Sequence, residues 1–505
     1  MVSVHGKGGL RVAITGAGPA GLTAAYELQK RDPSVVPVLF EGGSIVGGIA
    51  RTESYKGFRF DIGGHRFFTK VGEVEEMWHE VMGDDFIVVP RISRIFYRDR
   101  FYHYPLKMFN ALSNIGVYEA ARIMLSYFKW RVRPSKDEDS FEQWVINRFG
   151  GRLYMHFFRS YTEKVWGIPP SEIRADWAAQ RIKNLSLMKA VINSITGAND
   201  TTSLIEEFHY PRLGPGMMWE KVTDLVRERG GEVHMESRVK RVVHEAGRVT
   251  AIEVVHKAPD GTVTSRMEEA DHFINSMALR ELIEAMDPPA PPAVREAARK
   301  LKYRDFLIVT LMLDHPDPFP DNWIYIHDPK VTVGRIQNFR AWSREMVPNP
   351  AQASIGMEYF CNEDDPLWSM SNADLVKLAG GELEQLGLAA SSTVVDGTVI
   401  RQPKAYPVYD SEYKDALDTV AEWLGTLRNF QTVGRNGLHR YNNQDHSMLT
   451  AMLAARNILG EKHDVWTVNV ERSYHEEFQL SEKASGTRGG AEKDIEEDAA
   501  GQRVA

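Results

Sequence analysis

The sequence predicts an α/β fold with two kinds of sheet. Near its start, the apolar run 11–15 leads into closely spaced glycines and then into the helical stretch 22–30, which is the strand–turn–helix order of a Rossmann-type unit. Farther on, 118–131 and 141–161 carry apolar residues at helical spacing, whereas 306–359 holds short alternating runs typical of antiparallel strands. These observations predict a Rossmann-type nucleotide-binding domain with a helical insertion and a second, antiparallel-sheet substrate domain.

The first element carries the spacing of a dinucleotide-binding turn. Gly16, Gly18 and Gly21 stand in the order G-x-G-x-x-G between the predicted strand and helix. The first glycine permits a sharp turn, the second lets the backbone approach a pyrophosphate, and the third lets the helix pack closely on the strand. The next predicted strand, 36–40, ends at Glu41, about 20 residues beyond the last glycine, where a carboxylate can accept hydrogen bonds from a ribose. Together these features favour a bound dinucleotide over a glycine turn without a ligand.

Two further glycine segments, 47–52 (GGIART) and 61–65 (DIGGH), resemble the extended signature of the FAD-dependent amine oxidase superfamily. The resemblance implies FAD as the cofactor. It assigns contacts with the cofactor to Gly48, Arg51, Gly63, Gly64, His65 and Val239. Because His65 follows two of these glycines, it is expected on the N5 and O4 side of the flavin, although a lone histidine is more often structural.

The composition of the chain limits its domain count, its partners and its location. A chain of 505 residues exceeds one average domain, and a net charge of -8 with a pI near 6.1 argues against a general nucleic-acid binder. The single Cys361 excludes an internal disulfide and gives no sign of a metal site. No stretch approaches the roughly 20 apolar residues of a membrane span, and 1–10 lacks a signal-peptide core, so we expect a cytoplasmic protein. The polar segment 481–505 is predicted to be a disordered tail.

We expect the domains to be interleaved along the chain. The predicted parts are a discontinuous FAD-binding domain (1–70, 213–280 and 425–465), a helix-rich insertion that caps the substrate (71–212) and an antiparallel-sheet substrate domain (281–424). The oligomeric state cannot be read from the sequence.

A C-terminal motif narrows the class. The run 433–447 (VGRNGLHRYNNQDHS) is similar to the flavin-contacting segment of UDP-galactopyranose mutases, with its Asn-Gln-Asp-His-Ser part closest to the eukaryotic branch. The resemblance implies a strand that ends at Gly434 and a helix, from about 447 to 459, whose N-terminus stabilises negative charge on the reduced flavin. It assigns cofactor contacts to Gly434, Arg435, Asn443, Gln444, Asp445 and Ser447.

Further segments resemble the same family in its chain order, and they supply the substrate side. The resemblance implies that Arg181 and Arg335 bind the diphosphate of a nucleotide sugar, which suits guanidinium groups because they meet phosphate oxygens with paired hydrogen bonds. Most arginines are solvated surface residues, and tyrosines are often ordinary core residues. The other implied substrate contacts are Tyr104, Lys107, Trp166, Tyr325, Asn338, Tyr406 and Tyr441, and the implied catalytic residues are His65, Arg181, Arg335, Tyr406 and Tyr441.

The resemblance implies an isomerase that interconverts pyranose and furanose forms of a nucleotide sugar through an adduct at N5 of reduced FAD, with NAD(P)H or another reductant supplying electrons. Lys107 stands where the mutases are expected to have a neutral amide, and the loop 441–443 looks short. These departures leave the base and the sugar open, so GDP- or TDP-linked deoxyhexoses stand beside UDP-galactopyranose.

Two alternatives remain. An FAD-dependent oxidoreductase of the amine oxidase, protoporphyrinogen oxidase or desaturase type would share the segment 208–217. A non-catalytic FAD-binding scaffold is the other. The paired arginines and the segment 443–447 favour the mutase, since an oxidase of apolar substrates has no need of them.

Overall fold

The structure is a computed structural model that describes residues 9–104, 110, 114–175, 202–204, 207–469 and 477–479. Its strands are β1 (Arg11–Thr15), β2 (Val36–Phe40), β3 (Thr52–Tyr55), β4 (Phe58–Asp61), β5 (Phe86–Pro90), β6 (Ser93–Tyr97), β7 (Arg100–His103), β8 (Thr202–Leu204), β9 (Glu207–Pro211), β10 (Glu232–His234), β11 (Ser237–Glu245), β12 (Arg248–Lys257), β13 (Val263–Glu269), β14 (His272–Asn275), β15 (Met286–Asp287), β16 (Tyr303–Leu313), β17 (Trp323–Ile326), β18 (Arg335–Asn338), β19 (Ala353–Cys361), β20 (Val394–Pro407), β21 (Phe430–Thr432) and β22 (Glu477–Gln479).

The α-helices of the described residues are α1 (Pro19–Arg31), α2 (Gly72–Met82), α3 (Val117–Val132), α4 (Phe141–Phe149), α5 (Gly151–Leu153), α6 (Arg159–Trp166), α7 (Gly216–Glu228), α8 (Leu279–Glu284), α9 (Pro292–Lys300), α10 (Phe339–Trp342), α11 (Pro366–Ser369), α12 (Asn372–Gln385), α13 (Tyr413–Leu424), α14 (Gly434–Gly437) and α15 (Gln444–Ile458). A π-helical turn, Tyr154–Phe158, joins α5 to α6.

A parallel sheet collects strands from distant parts of the chain in the order β10–β2–β1–β14–β21. Its central strand is apolar and buried along residues 12–15, as expected for a parallel sheet covered on both faces. Helix α1 is buried continuously from Ala20 to Gln29 because it packs between this sheet and the helices α7 and α15. The mixed α/β architecture confirms the predicted fold class.

A smaller sheet, β13–β12–β11–β15, covers the other face of the parallel sheet. Its main hairpin turns at Ala246 and Gly247, which both have positive φ, as a tight two-residue turn requires. Val242 and Ile252 of this hairpin share one apolar core with Phe40 of the parallel sheet. The two strands of this hairpin are β11 and β12, the longest of the smaller sheet.

The third sheet has seven strands within the described residues, in the order β20–β16–β19–β18–β17–β6–β7. It is antiparallel except where β17 runs parallel to β6. Two differences from the sequence prediction stand out. The strands β6 and β7 come from 71–212, which was expected to be a helix-rich insertion, and the long strand β20 was not predicted. Strand β18 ends at Asn338, since α10 begins at Phe339.

The helical region departs from the single helix predicted over 141–161. Ser140 caps α4 by accepting a hydrogen bond from the Gln143 N–H, and the helix ends at Gly150, which has φ +82°. A Cβ at Gly150 would lie 2.8 Å from the backbone nitrogen of Tyr127, so the glycine allows α3 to approach closely. The chain then restarts as α5, the π-helical turn and α6, a form often found near functional sites.

No helix in the described ranges is both long and apolar enough to cross a bilayer. Among those same residues, no group of three or more His, Cys, Asp or Glu side chains could hold a metal ion. The segment 481–505 lies outside the described residues.

The contact between β1 and α1 gives a test of the packing. A Cβ at Gly21 would lie 1.9 Å from the Gly16 carbonyl oxygen, so Gly21→Ala should force the helix away from the strand and lower the free energy of unfolding by about 3 kcal/mol or more. Gly72→Ala is the matched control, because no atom lies within 4 Å of its added carbon. Chemical denaturation measures both. Equal midpoints for the two variants would show that the turn tolerates a side chain.

Candidate flavin and substrate site

The glycine turn after β1 meets the second glycine segment. Gly16 has φ +89° and its N–H donates to the Phe40 carbonyl (2.8 Å), which ties the ends of β1 and β2 together. Gly18 precedes the first turn of α1, and no side chain caps that helix. A Cβ at Gly48 would lie only 3.2 Å from the Gly18 Cα. Two glycine backbones therefore meet at the N-terminus of a 13-residue helix, where N–H groups favour an anion.

Glu41 is held at the end of β2. Its carboxylate accepts hydrogen bonds from the N–H groups of Ala17 and Gly43, both at 2.8 Å, and the side chain is partly exposed. The first residue of β11 donates its N–H to the Glu41 carbonyl (2.7 Å), so Val239, two residues later and buried, lies close to the same edge. The predicted adenine and ribose residues are thus neighbours.

Arg51 and the 63–65 loop link this edge to the third sheet. Arg51 donates to Glu53 (2.7 Å), the Gly48 carbonyl (2.8 Å) and Gln402 of β20 (2.9 Å). Gly63 has φ +86°. A Cβ at Gly64 would overlap the Trp323 ring, at 1.8 Å from one ring carbon, so the loop backbone lies directly against β17.

His65 is neutral. Burial, with Arg435 and Arg51 nearby, lowers its pKa to about 3. Its Nδ1 lies 3.0 Å from the Gly63 carbonyl oxygen, and a carbonyl can only accept, so Nδ1 carries the proton. Nε2 is therefore left as an acceptor.

Asp61, just before this loop, is fully buried. It accepts hydrogen bonds from the hydroxyl groups of Tyr210 (2.5 Å) and Thr52 (3.0 Å), and Thr52 accepts one from the Gly216 N–H. Burial raises the pKa of Asp61 to about 7, although both hydroxyl groups oppose the rise. This network joins the hairpin β3–β4 to β9 and α7.

The C-terminal motif, residues 433–447, begins just after β21. Gly434 has φ +85°, but β21 ends at Thr432 rather than at Gly434 as predicted, and the longer helix of the motif begins at Gln444 rather than near 447. Asn443 is its N-cap and forms a capping box with His446, which starts the helix three residues early. The predicted cofactor residues Asp445 and Ser447 are buried in its first turn.

Two side chains of this motif have defined partners. The Gln444 side chain accepts a hydrogen bond from the Trp219 indole (3.2 Å). Arg435 donates to the carbonyl groups of Asn442 (2.8 Å) and Ala405 (3.1 Å), neither of which carries a charge.

A tyrosine pair forms the centre of the predicted substrate pocket. The rings of Tyr406 and Tyr441 are stacked, with centroids 5.5 Å apart and planes 17° apart. The Trp166 ring lies 6.3 Å from each of them. The guanidinium of Arg435 lies 4.9 Å from the Tyr441 ring centre and 5.7 Å from that of Tyr406, which is within cation–π range.

Arg335 reaches the same pair from β18. Its Nε donates to the Tyr161 hydroxyl (2.8 Å), and its Nη1 lies 3.4 Å from the Tyr406 hydroxyl. Nη1 also lies 3.5 Å from the carboxylate of Glu358, which stands directly opposite Arg335 on β19 and is fully buried. Tyr325 stands opposite Arg335 on β17, so these residues form one row across the sheet.

The charges in this row support one another. Burial alone would lower the pKa of Arg335, but the surrounding tyrosines and Glu358 raise it above its ordinary value, so the guanidinium is charged. Burial raises the pKa of Glu358, and Arg335 opposes that rise. Burial also raises the pKa of Tyr406 to about 12 and that of Tyr161 higher still, so both hydroxyl groups keep their protons.

A buried lysine, which the sequence analysis did not select, fixes the frame around Arg335. Lys164 lies on α6 between Tyr161 and Trp166, and burial lowers its pKa to about 8. Its ammonium group contacts the carbonyl oxygens of Ile326 (3.3 Å), Asp328 (2.9 Å), Val331 (2.9 Å) and Val333 (3.0 Å). The carboxylate of Glu382 accepts the N–H groups of Thr332 and Val333 from the same segment. The segment between Tyr325 and Arg335 is therefore held by opposite charges.

Not every predicted substrate residue joins the pocket. The side chain of Asn338 holds the backbone: its amide donates to the Phe319 carbonyl and its oxygen caps α10, and its contact with a substrate stays a prediction. Tyr104 is exposed, with its ring 4.8 Å from that of Tyr325, and lies at the rim. Arg181 and Lys107 lie outside the described residues.

Tyr161, Lys164 and Glu358 are site residues that sequence reasoning missed. Tyr161 and Lys164 lie within one turn of Trp166, and helical spacing could have placed them beside it. Glu358 is an acid inside an apolar strand, which is itself a signal of a buried charge needing a partner.

The buried Asp61 predicts a pH dependence. Its folded pKa of about 7 lies above the unfolded value of about 3.9, so its contribution to stability is complete below about pH 4 and is lost as the pH rises through about 7, at a cost of roughly 4 kcal/mol. Asp61→Asn cannot ionise, and its Tm relative to wild type should therefore rise between about pH 5 and about pH 8. The control is Asp84→Asn, at an exposed position. A Tm difference that does not change with pH would contradict the assignment.

The chain is similar to several known proteins. A model of the flavin containing amine oxidoreductase family matches residues 19–386. A crystal structure of reduced UDP-galactopyranose mutase is similar at a TM-score of 0.76 and 20% identity, covering 91% of this chain and 97% of that chain. A putative protoporphyrinogen oxidase from Exiguobacterium sp. 255-15 is similar at 0.68 and 16%, covering 90% and 99%. A putrescine oxidase double mutant is similar at 0.57 and 14%, covering 90% and 100%. At these identities the likeness shows the fold alone.

The described residues fit a flavin dinucleotide. Side chains at Gly18 and Gly48 would fill the space between the two glycine segments, and the uncapped N-terminus of α1 lies beside it. Glu41 and Val239 lie at the neighbouring edge, where a ribose and an adenine would be held. The family model spans well over half of the chain. The chain therefore belongs to the flavin containing amine oxidoreductase family, and its cofactor is FAD.

Proposed function

We propose that the protein is a nucleotide-sugar mutase that interconverts pyranose and furanose forms with reduced FAD, and that UDP-galactopyranose is the first substrate to test. The observation that carries this proposal is the pair of guanidinium groups, Arg335 and Arg435, on the tyrosine pair Tyr406 and Tyr441. The likeness to reduced UDP-galactopyranose mutase supports it.

The electrostatics of the pocket favour an anionic substrate. Arg335 and Arg435 carry guanidinium groups and His65 is neutral; Glu358 pairs with Arg335, whereas Arg435 donates to the uncharged carbonyl groups of Asn442 and Ala405. An excess positive charge attracts a diphosphate and repels a protonated amine, and the effect is large where water is excluded. An amine substrate of the kind that putrescine oxidase is named for would therefore meet an unfavourable field.

Hydrogen bonding points the same way. The hydroxyl oxygens of Tyr161 and Tyr406 face the N–H groups of Arg335, so their own protons are directed elsewhere. Both hydroxyl groups stay protonated at neutral pH. They can therefore donate to phosphate oxygens while Arg335 supplies the charge.

The remaining parts suit a reaction with no net redox change. Reduced FAD, when bound, supplies an electron-rich ring able to attack an anomeric carbon. Arg335 and Arg435 would neutralise the nucleotide diphosphate as it leaves and keep it close for its return. Trp166 and the tyrosine pair form an apolar wall that excludes water, and the N-terminus of α15 favours negative charge nearby.

The function is tested with the full-length, FAD-loaded protein under anaerobic conditions. After reduction with dithionite it is incubated with UDP-, GDP- and TDP-hexoses, and products are separated by chromatography. We expect an isomer of unchanged mass with the reduced protein and none with the oxidised protein. No isomer from any sugar, with the flavin instead reduced by an amine or a porphyrinogen, would assign the protein to the oxidases.

The role of Arg335 is tested with a double variant that removes both members of its buried ion pair. Glu358→Gln is the control, because it removes the carboxylate alone and so separates the loss of Glu358 from the loss of the guanidinium. The double variant Arg335→Gln/Glu358→Gln removes the cation as well, and we expect it to bind the nucleotide sugar about 10- to 100-fold more weakly than the control, since a hydrogen bond to a charged group contributes about 1.5–3 kcal/mol. Calorimetry on FAD-loaded protein measures both. Equal affinities would remove Arg335 from the substrate site.

A further inference from the structure

Helix α3 presents an apolar stripe to solvent. The exposed fractions of its large apolar side chains are 88% for Val117, 76% for Tyr118, 70% for Leu125, 47% for Phe128 and 76% for Val132. At 3.6 residues per turn these positions fall within one arc of roughly 100°. We call this arc, with the exposed Ala121 between them, the outer stripe.

The helix is anchored by its other side. Ile123 and Tyr127 are buried, and the Tyr127 backbone lies against Gly150. Leu125 and Phe128 of the outer stripe therefore stand on the anchored middle of the helix, whereas Val117 and Val132 are its first and last residues.

The borders of the outer stripe are cationic. Helical spacing places the exposed Arg122 and Lys129 along one edge and the exposed Arg131 along the other. The helix has one acid, Glu119, and its carboxylate is engaged by the side chains of Arg152 and His156 and, at 3.5 Å, by Arg122, so Lys129 and Arg131 are the border cations of α3 that do not pair with this acid. This basic face belongs to a chain whose net charge is -8.

We propose that the outer stripe of α3 docks the protein on an anionic lipid surface. An apolar arc bordered by Lys and Arg is the pattern of a helix that lies in the membrane interface, where acyl chains take the apolar side chains and anionic headgroups take the cations. Because the net charge of the whole chain is negative, an anionic membrane would repel the rest of the surface and attract this basic face. The protein would therefore approach the membrane with α3 first.

A second copy of the chain suits the outer stripe less well. Twofold symmetry pairs a surface patch with itself, so Arg122, Lys129 and Arg131 would face their own counterparts. Like charges across an interface are unfavourable. A lipid surface instead offers the complementary charge along the whole helix. This proposal does not depend on the substrate.

The test is co-sedimentation of the full-length, FAD-loaded protein with vesicles. We expect binding to phosphatidylglycerol–phosphatidylcholine vesicles, weaker binding at high salt and little binding to phosphatidylcholine alone. Leu125→Ser/Phe128→Ser should lower the partition coefficient by about tenfold or more, and Arg122→Gln/Lys129→Gln should weaken binding to the anionic vesicles. The control is Val263→Ser/Val395→Ser, which removes two exposed apolar side chains elsewhere.

Three outcomes would overturn the proposal. Wild-type protein that stays in the supernatant with anionic vesicles is the first. Equal sedimentation of the outer-stripe variants and the control is the second. The third is a wild-type dimer that Leu125→Ser/Phe128→Ser converts to monomer, as seen by light scattering, without vesicle binding by either protein. Retained FAD absorbance and circular dichroism show that each variant is folded.

Discussion

The site depends on one side-by-side pairing of three strands that are far apart in sequence. Thr15, Asn275 and Thr432 stand in register at the ends of β1, β14 and β21. Their buried side chains are hydrogen bonded in a row, with Thr15 to Asn275 at 3.0 Å and Asn275 to Thr432 at 3.1 Å. This row fixes where the first glycine turn and the C-terminal motif begin. If one of these strands slipped by one residue against its neighbour, the buried polar side chains of the row would lose their hydrogen-bond partners. The row therefore sets the register of the three strands and the position at which both loops begin.

The third sheet buries its charged side chains in compensated sets. Arg335 and Glu358 stand opposite each other, and Lys164 and Glu382 hold the segment before Arg335 from its two sides. Removing one member of a buried set leaves the other without compensation, which costs more than the pair contributes. The same arrangement that orders the sheet thus keeps a cation beside the tyrosine pair.

Local sequence predicted the parts whose chemistry is local. Gly16, Gly18 and Gly21 have roles that follow from backbone sterics, so a short window was enough to recognise the turn and the family. The start of α15 was misplaced because the capping box at Asn443 was not weighed. The cap that Asn338 forms on α10 was not predicted either, since it depends on where a strand ends.

Pairings between distant segments could not be predicted in the same way. The strands β6 and β7 join the third sheet beside β17, more than 200 residues later in the chain, and no periodicity reports such a partner. The contact between Gly64 and the Trp323 ring likewise exists only because that sheet reaches the flavin loop. Glycine segments therefore identify the cofactor from a short window, whereas the arginines beside the tyrosine pair come from β18 and α14, and only the folded chain brings them together. A shared fold does not choose a substrate, so the charge around the tyrosine pair is the feature on which the proposed mutase function rests.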